Sequence, residues 1–585
     1  MRPSNYDKHP FVQVEELNHS CVEGWQAIGA ALNAEVKSLK IKLAILIIEC
    51  YPGVLDEELI RQLKKNIHHQ LWIEVNDAYK DEDLIREMIY PDVTDDRVFG
   101  FLTRLTMDDY FSVAKMEKIQ KSASAITEGV IVVYGTGASL VLPNFHLLVY
   151  ADMARWEIQM RMRRNEVNNL GIHNKQSPFA AKYKQGFFVD WRVSDRLKKK
   201  LFSQWNHLLD TNENNYPKLV SADAIRKGLE LTVQRPFRVV PFFDAGPWGG
   251  QWMKQVCGLD PSVVNYAWCF DCVPEENSLL LAFGNIKVEI PSIDLVFFQT
   301  ERLLGAKVQA RFGAEFPIRF DFLDTMGGGN LSLQVHPVTE YIQETFGMHY
   351  TQDESYYLLD AGEDAQVYLG LKDSNKVNEL FSELEQAQNG IAGFDAEKYV
   401  ATWPVKKHDH VSIPAGTIHC SGANAMVLEI SATPYIFTFK LWDWNRPGLD
   451  GKPRPTHLQH GKKVLQQNRD ANWVKQHALN LTRPVSTGDG WREESTGLNE
   501  LEFIETRRHW FTKKVEHHTN GNVHVLNLVE GREIMVESPK NLFTPFIVHY
   551  AETFIVPAAV GAYSIKPYGE AEGTECVTMK AYVRC

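Results

Sequence analysis

Two side chains, Gln334 and His336 in the stretch LSLQVHP, limit the fold more than any other feature of the chain. In a strand, residues i and i+2 share a face. The pair therefore projects together from one sheet. Glu354 follows His336 by 18 residues (354 − 336), about the length of a hairpin return, and opens the strand-like run ESYYLLDA. Pro414, Ala415 and Gly416 are a turn signal just ahead of Thr417, Ile418 and His419. Together Gln334, His336, Glu354 and His419 offer one amide oxygen, one carboxylate and two imidazoles. That donor set suits a divalent metal with one position left open. Zn²⁺ suits mixed N/O donors best, and Fe²⁺, Mn²⁺ and Co²⁺ are also compatible by donor type. A lone histidine in such a strand is ordinarily a buried core residue. The joint pattern of Q-x-H, Glu and PAGTIH is what favours ligation.

The same residues carry a resemblance. FPIRFDFLDT with LSLQVHP, ESYYLLDA with VYLGLK, IPAGTIH, VLEI with LWDW, and an opening PWGG at 247–250 resemble class I mannose-6-phosphate isomerases, which are zinc-dependent cupins. The resemblance spans about residues 242–446. It implies one Zn²⁺ held by Gln334, His336, Glu354 and His419. It also implies an aldose–ketose isomerase acting on mannose 6-phosphate and fructose 6-phosphate through a cis-enediol. By the same resemblance Glu429 in VLEI is a carboxylate near the metal, and Asp443 and Trp444 belong to the matched stretch. Lys440 stands where bacterial members carry an Arg, which keeps the charge but loses the planar fork.

The departures concern phosphate. Two lysines of the family read Gln352 and Asp321 here. Ser332 matches a phosphate-side Ser, and Arg319, two residues before Asp321, is a substitute cation for substrate binding. Gly327-Gly-Gly329 offers backbone amides of the kind that form anion nests, though a glycine triplet is ordinarily a turn. The alternative is a cupin that binds metal and recognises or senses a sugar without isomerising it, or an isomerase of an unphosphorylated sugar.

The fold class expected overall is multidomain: an N-terminal α/β domain with a parallel sheet, then two cupin-type β-barrels. The expected divisions are 1–235, 236–450, a connecting segment 451–500, and 501–585. In the first, 41–50, 129–134 and 145–150 read as buried strands. Residues 56–69 read as a helix with acidic residues first and basic residues last, as the macrodipole favours. Asp152 is placed to cap a helix bearing Arg155, Arg161, Arg163 and Arg164. Strands alternating with helices suggest a parallel sheet with phosphate-sized loops at the strand ends. This half resembles nucleoside or uridine kinases in its strand, turn and Arg-rich helix. The phosphate loop G-x-x-x-x-G-K-[ST] is absent, and Glu49 sits where that loop belongs. A domain with a kinase-like fold and a structural or regulatory role is the reading kept.

The basic run 196–200 is expected as a solvated face bridging into the barrel. Between 278 and 442 the expected strands are many, among them 295–299. Residues 376–388 are expected to be helical. Residues 451–498 read as one helical patch with loop-like flanks. Val556-Pro-Ala-Ala echoes Ile413-Pro-Ala-Gly, which suggests a second, smaller barrel, without metal because it lacks a Q-x-H and Glu set. His549 and Glu552 there are read as a hydrogen-bonded pair.

A formal charge of 62 − 74 = −12 argues against nucleic acid as the main partner. No run is long enough to span a membrane, and eight cysteines do not make a disulfide scaffold in 585 residues. Cys269 and Cys272 are read as ordinary strand cysteines. A cytoplasmic enzyme with a small-molecule sugar or sugar-phosphate partner is expected.

Overall fold

The computed structural model describes residues 3–433, 436–448, 451, 454–497, 499 and 502–585. The expected divisions at 450/451 and 500/501 fall on positions that are wholly or partly outside the described residues. The chain splits into two compact units. One comprises residues 11–231 with 278–298, and the other comprises residues 1–10, 232–277 and 299–585.

The first unit is built on a seven-stranded sheet in the order Cys21–Glu23, Lys218–Ser221, His207–Asp210, Leu147–Asp152, Leu43–Cys50, Gly129–Gly135, Leu71–Glu74. Leu43–Cys50 is central and pairs in parallel with both neighbours. Its run of apolar residues with no polar alternation reflects burial on both faces. Helix Asp56–Asn66 follows, with acids in its first turn and lysines in its last. The loop at the end of this strand is organised by a carboxylate. Glu49 accepts the backbone N–H groups of Gly137 and Ser139 at the start of the short helix Ala138–Val141. Gly137 takes φ +86°, and a Cβ there would meet Phe111 and Met107.

Three expectations fail in this unit. Asp152 does not cap the next helix, whose cap position is Ala154. Instead both Asp152 oxygens accept from Lys198 at 2.8 Å. The basic run is not a solvated face either, because Lys198 is fully buried between Asp152 and Asp294. Arg155 and Arg161 are likewise buried. Arg155 donates to Asp195 and Arg161 to the carbonyls of Gly53 and Thr211. Residues 295–299, expected as a strand, lie largely within the helix Ile293–Phe298. Strands Ser278–Phe283 and Ile286–Pro291 also belong to this unit, where Phe11–Gln13 pairs with the first of them.

The second unit is antiparallel β. A six-stranded sheet runs His410–Ile413, Glu354–Ala361, Ala425–Ala432, Ile318–Asp324, Trp268–Cys272, Phe242–Asp244. A five-stranded sheet runs Val400–Pro404, Gln366–Leu371, His419–Ser421, Leu333–Val335, Phe439–Trp442. Their facing side chains meet, so the architecture is a double sheet. Among the described residues the strands do not hydrogen-bond into the closed ring that a barrel requires. The helix expected near 376–388 is Val377–Gln388. Toward the C-terminus a six-stranded and a four-stranded sheet enclose a second apolar core around Leu526, Leu528, Val536 and Phe554. The stretch expected to be loop-like supplies two strands of that sheet, Thr482–Gly488 and Trp491–Thr496. Leu498 lies outside the described residues.

Candidate metal centre

The strand register places the site. Gln334 lies directly opposite His419 on one neighbouring strand and Lys440 on the other. Cross-strand partners point to one face, so these three share the interior side. On the facing sheet, Ser431 is the partner of both Arg319 and Glu354, and Glu429 is the partner of both Asp321 and Tyr356. Two rows of polar residues thus look across at Gln334 and His419. The turn before His419 is pinned from several sides. Gly416 takes φ +89° and donates to the His336 carbonyl, and Arg469 reaches the carbonyls of Pro414 and Ala415.

His336, Glu354 and His419 bring one ligating atom each to within 4.8 Å of one another, all buried. His336 Nε2 is 3.0 Å from one Glu354 oxygen, and His419 Nε2 is 2.8 Å from the other. The Gln334 amide is 3.3 Å from His419 Nε2. The opposite ring nitrogens settle the tautomers. His336 Nδ1 lies 3.2 Å from the Phe437 carbonyl and His419 Nδ1 2.8 Å from the Thr417 carbonyl. A carbonyl only accepts, so each Nδ1 carries a proton and each Nε2 is turned onto Glu354. Burial alone would raise the Glu354 carboxyl, but the two imidazoles outweigh it and hold the group well below the usual carboxylate range. This donor set fits a divalent metal.

Beside it lies a carboxyl network. Gln352 donates to Glu354 at 2.9 Å and to Glu429 at 3.2 Å. Ser431 donates to Glu429 at 2.9 Å. Arg319 reaches Asp321 at 2.6 Å and Glu429 at 3.2 Å. Burial first, then Asp321 and Glu354, push Glu429 well above the usual range against the pull of Arg319. Burial pushes Asp321 up to about 6. The Arg319 guanidinium, expected as a substrate cation, is thus engaged by two acidic side chains.

Ser332 sits in a different cluster. It donates to Asp443 at 3.0 Å and receives Arg454 at 3.0 Å. Arg446 and Arg454 bracket Asp443 at 2.7 and 2.8 Å. Lys440 is half-buried on its strand. The glycine triplet is no anion nest, because its amides donate to Asn424, Thr325 and Trp248. Cys269 and Cys272 are buried and free. His549 and Glu552 do hydrogen-bond, with Arg238 on the same carboxylate.

Sequence reasoning missed the bridging role of Gln352, although its i, i+2 spacing to Glu354 announces a shared face. It also missed Arg454, which sits in the polar stretch GKPRPTH with no periodicity to flag it.

Comparison with known proteins adds the following. A family model described as a domain of unknown function (DUF8485) matches residues 24–234. Over 246 residues the chain is 26% identical to a mannose-6-phosphate isomerase of Streptococcus mutans serotype c, covering 41% of this chain and 72% of the relative. Over 154 residues it is 28% identical to mannose-6-phosphate isomerase ManA of Bacillus subtilis, covering 26% of this chain and 45% of that protein. A solved structure of the mannose 6-phosphate isomerase from Bacillus subtilis is similar with a TM-score of 0.48 at 19% identity, covering 60% of this chain and 100% of the other.

Proposed function

We propose that the chain is an enzyme, an aldose–ketose isomerase of the mannose-6-phosphate isomerase type, working at the His336–Glu354–His419 centre with Gln334 as a fourth ligand and zinc as the metal. The observation that carries this is the pair of imidazoles with Nδ1 fixed on backbone carbonyls and Nε2 turned onto one buried carboxylate. The named relatives support the reaction class. A divalent metal bound there supplies polarisation of neighbouring carbonyl and hydroxyl oxygens. The protein's own part is proton handling. Isomerisation moves a proton between C1 and C2 of the sugar through a cis-enediol. Glu429, whose affinity for a proton is raised by burial and by Asp321 and Glu354, is the group to take that proton from one carbon and return it to the other. Gln352 and Ser431 fix its Oε1. Ser332, with Arg446 and Arg454 set against one Asp443, is the most cationic wall near the ligand strand and the place for a phosphate group. Lys440 faces the same interior from the strand beside Gln334.

For the unit of residues 11–231 and 278–298 we infer a kinase-like sheet without phosphoryl transfer, because Glu49 occupies the amides that would hold a phosphate. A reducing, cytoplasmic setting accords with eight free cysteines. Among the described residues no helix is long and apolar enough to cross a membrane.

The test is a coupled assay on fructose 6-phosphate, fructose and mannose, with metal quantified on the same samples. His336→Ala and His419→Ala are expected to lose both metal and turnover. Turnover of fructose 6-phosphate alone supports the phosphosugar reading, and turnover of fructose or mannose moves the assignment to a free sugar. Full metal content with normal turnover in either variant sinks the centre.

A further inference from the structure

A second group of polar side chains is buried far from any role in that reaction, inside the C-terminal double sheet. The strands Trp491–Thr496, Ile504–Phe511 and Cys576–Val583 set Glu493 opposite His509 and Arg507 opposite Lys580. His517 comes from the facing four-stranded sheet, its ring 4.7 Å from that of His509 and edge-on to it. These side chains line a cavity of about 580 Å³.

Two of them are left without partners that burial ordinarily demands, and a third is only loosely paired. His509 is 1% exposed, and its Nδ1 makes no hydrogen bond among the described residues. The Nε2 of His517 is shut from solvent and equally unpartnered. Lys580 is 7% exposed, and its ammonium has Glu493 at 3.8 Å, beyond hydrogen-bond distance. A buried polar atom left unsatisfied is costly, so two such ring nitrogens beside a loosely paired ammonium in one cavity point to a ligand that satisfies them. A metal does not fit. Among the described residues the one group of His, Cys, Asp or Glu ligands close enough to share an ion is His336, Glu354 and His419. Lys580 and Arg507 would repel a cation, and the polar wall excludes an apolar molecule.

The tautomer of His509 narrows the chemistry. Its Nε2 lies 3.2 Å from Glu493, whose carboxylate is held down at about 2 despite burial, by the His509 contact above all. Nε2 therefore carries the proton. Burial, with Lys580 next, keeps the ring neutral down to about 4. Nδ1 then offers a lone pair, which accepts a hydroxyl. Lys580 offers a donor and positive charge, and Arg507, whose Nε is held by Glu505 at 2.8 Å, adds positive charge and its terminal N–H groups.

We infer that this cavity is a second ligand site, built for a small hydroxylated anion whose carboxylate or phosphate group lies on Lys580 and Arg507 and whose hydroxyl donates to His509 Nδ1. The site is independent of the metal centre and does not rest on the isomerase reading. Calorimetric titration of the full chain with glycerol 3-phosphate, glycerate, inorganic phosphate and glycerol tests it. Hydrogen exchange locates the binding. Saturable binding of glycerol 3-phosphate or glycerate is expected, with protection of 504–511, 515–518 and 576–583. Preference between the two says whether phosphate or carboxylate is the natural group. Lys580→Met is expected to weaken binding at least tenfold, and His509→Phe to erase the preference over inorganic phosphate. Absence of saturable binding to the wild-type chain at about 10 mM, above the usual millimolar limit of specific sites, overturns the proposal without any variant. So does protection confined to the metal centre.

Discussion

At the residue scale, two backbone carbonyls decide what the metal centre offers. Phe437 and Thr417 take the Nδ1 protons of His336 and His419, and this leaves both Nε2 atoms free for one task. The neighbouring carboxyl is set by the opposite kind of surroundings. Glu354 faces imidazoles, while Glu429 faces Asp321 and Glu354 as well as Arg319, and these neighbours drive two equally buried carboxyls in opposite directions. Groups driven apart in this way take distinct acid–base roles. Glu429→Gln keeps the shape and the Ser431 contact but removes the exchangeable proton. Expected are full metal content and turnover lower by about 10²–10⁴-fold, the ordinary share of one acid–base group. Unchanged kcat removes Glu429 from the reaction.

At the scale of elements, the site was legible because strands have a period of two. Q-x-H, the Glu opening ESYYLLDA and the PAG turn needed only that rule to converge. Elements whose pattern is silent were missed. The run IDLVFF at 293–298 is six residues of mostly apolar character, too short for periodicity to separate a helix from a strand. Thr482–Gly488 is an exposed polar edge strand with no buried face to impose alternation. Lys198 looked solvated because its run is basic, yet a helix turns one residue of such a run inward, and Asp152 and Asp294 meet it there. Burial of charge depends on partners distant in sequence, and a single sequence does not display them.

His410 belongs to this scale because it ties three strands. Its ring nitrogens contact Thr496 and Ser355, each at 2.9 Å. Burial, with Arg508 second, lowers its pKa to about 3. The unfolded chain has an ordinary imidazole near 6.5. Between those values the unfolded state binds the proton and the folded state does not. The contribution is therefore complete above about pH 6.5 and lost as pH falls, by about 2 kcal/mol at pH 5. Urea unfolding across pH 4–8 is expected to show this slope, and His410→Gln to flatten it. An equally steep slope in the variant assigns the acid sensitivity elsewhere.

At the scale of the molecule, the two units are not consecutive lengths of chain. The α/β unit closes only with residues 278–298, which supply Asp294 to Lys198, Phe298 to stack on Phe202 at 3.5 Å, and the strand that pairs with Phe11–Gln13. A fragment of residues 11–231 is expected to be less stable than the same fragment with 278–298 joined by a flexible linker. The difference should reach about 3–5 kcal/mol, the usual cost of breaking a buried ion pair. Equal denaturation midpoints would show that the insert is dispensable.

That interleaving has a consequence for biosynthesis. Domains ordinarily fold from the N-terminus as they leave the ribosome. Here the N-terminal unit has to wait, because its last helix ends at Phe298. By then the first strands of the second unit, Phe242–Asp244 and Trp268–Cys272, have already been made. Order of synthesis is therefore not order of completion. The nascent chain carries an unfinished α/β unit, with Lys198 short of one carboxyl partner, for the 67 residues from 232 to 298 (298 − 231).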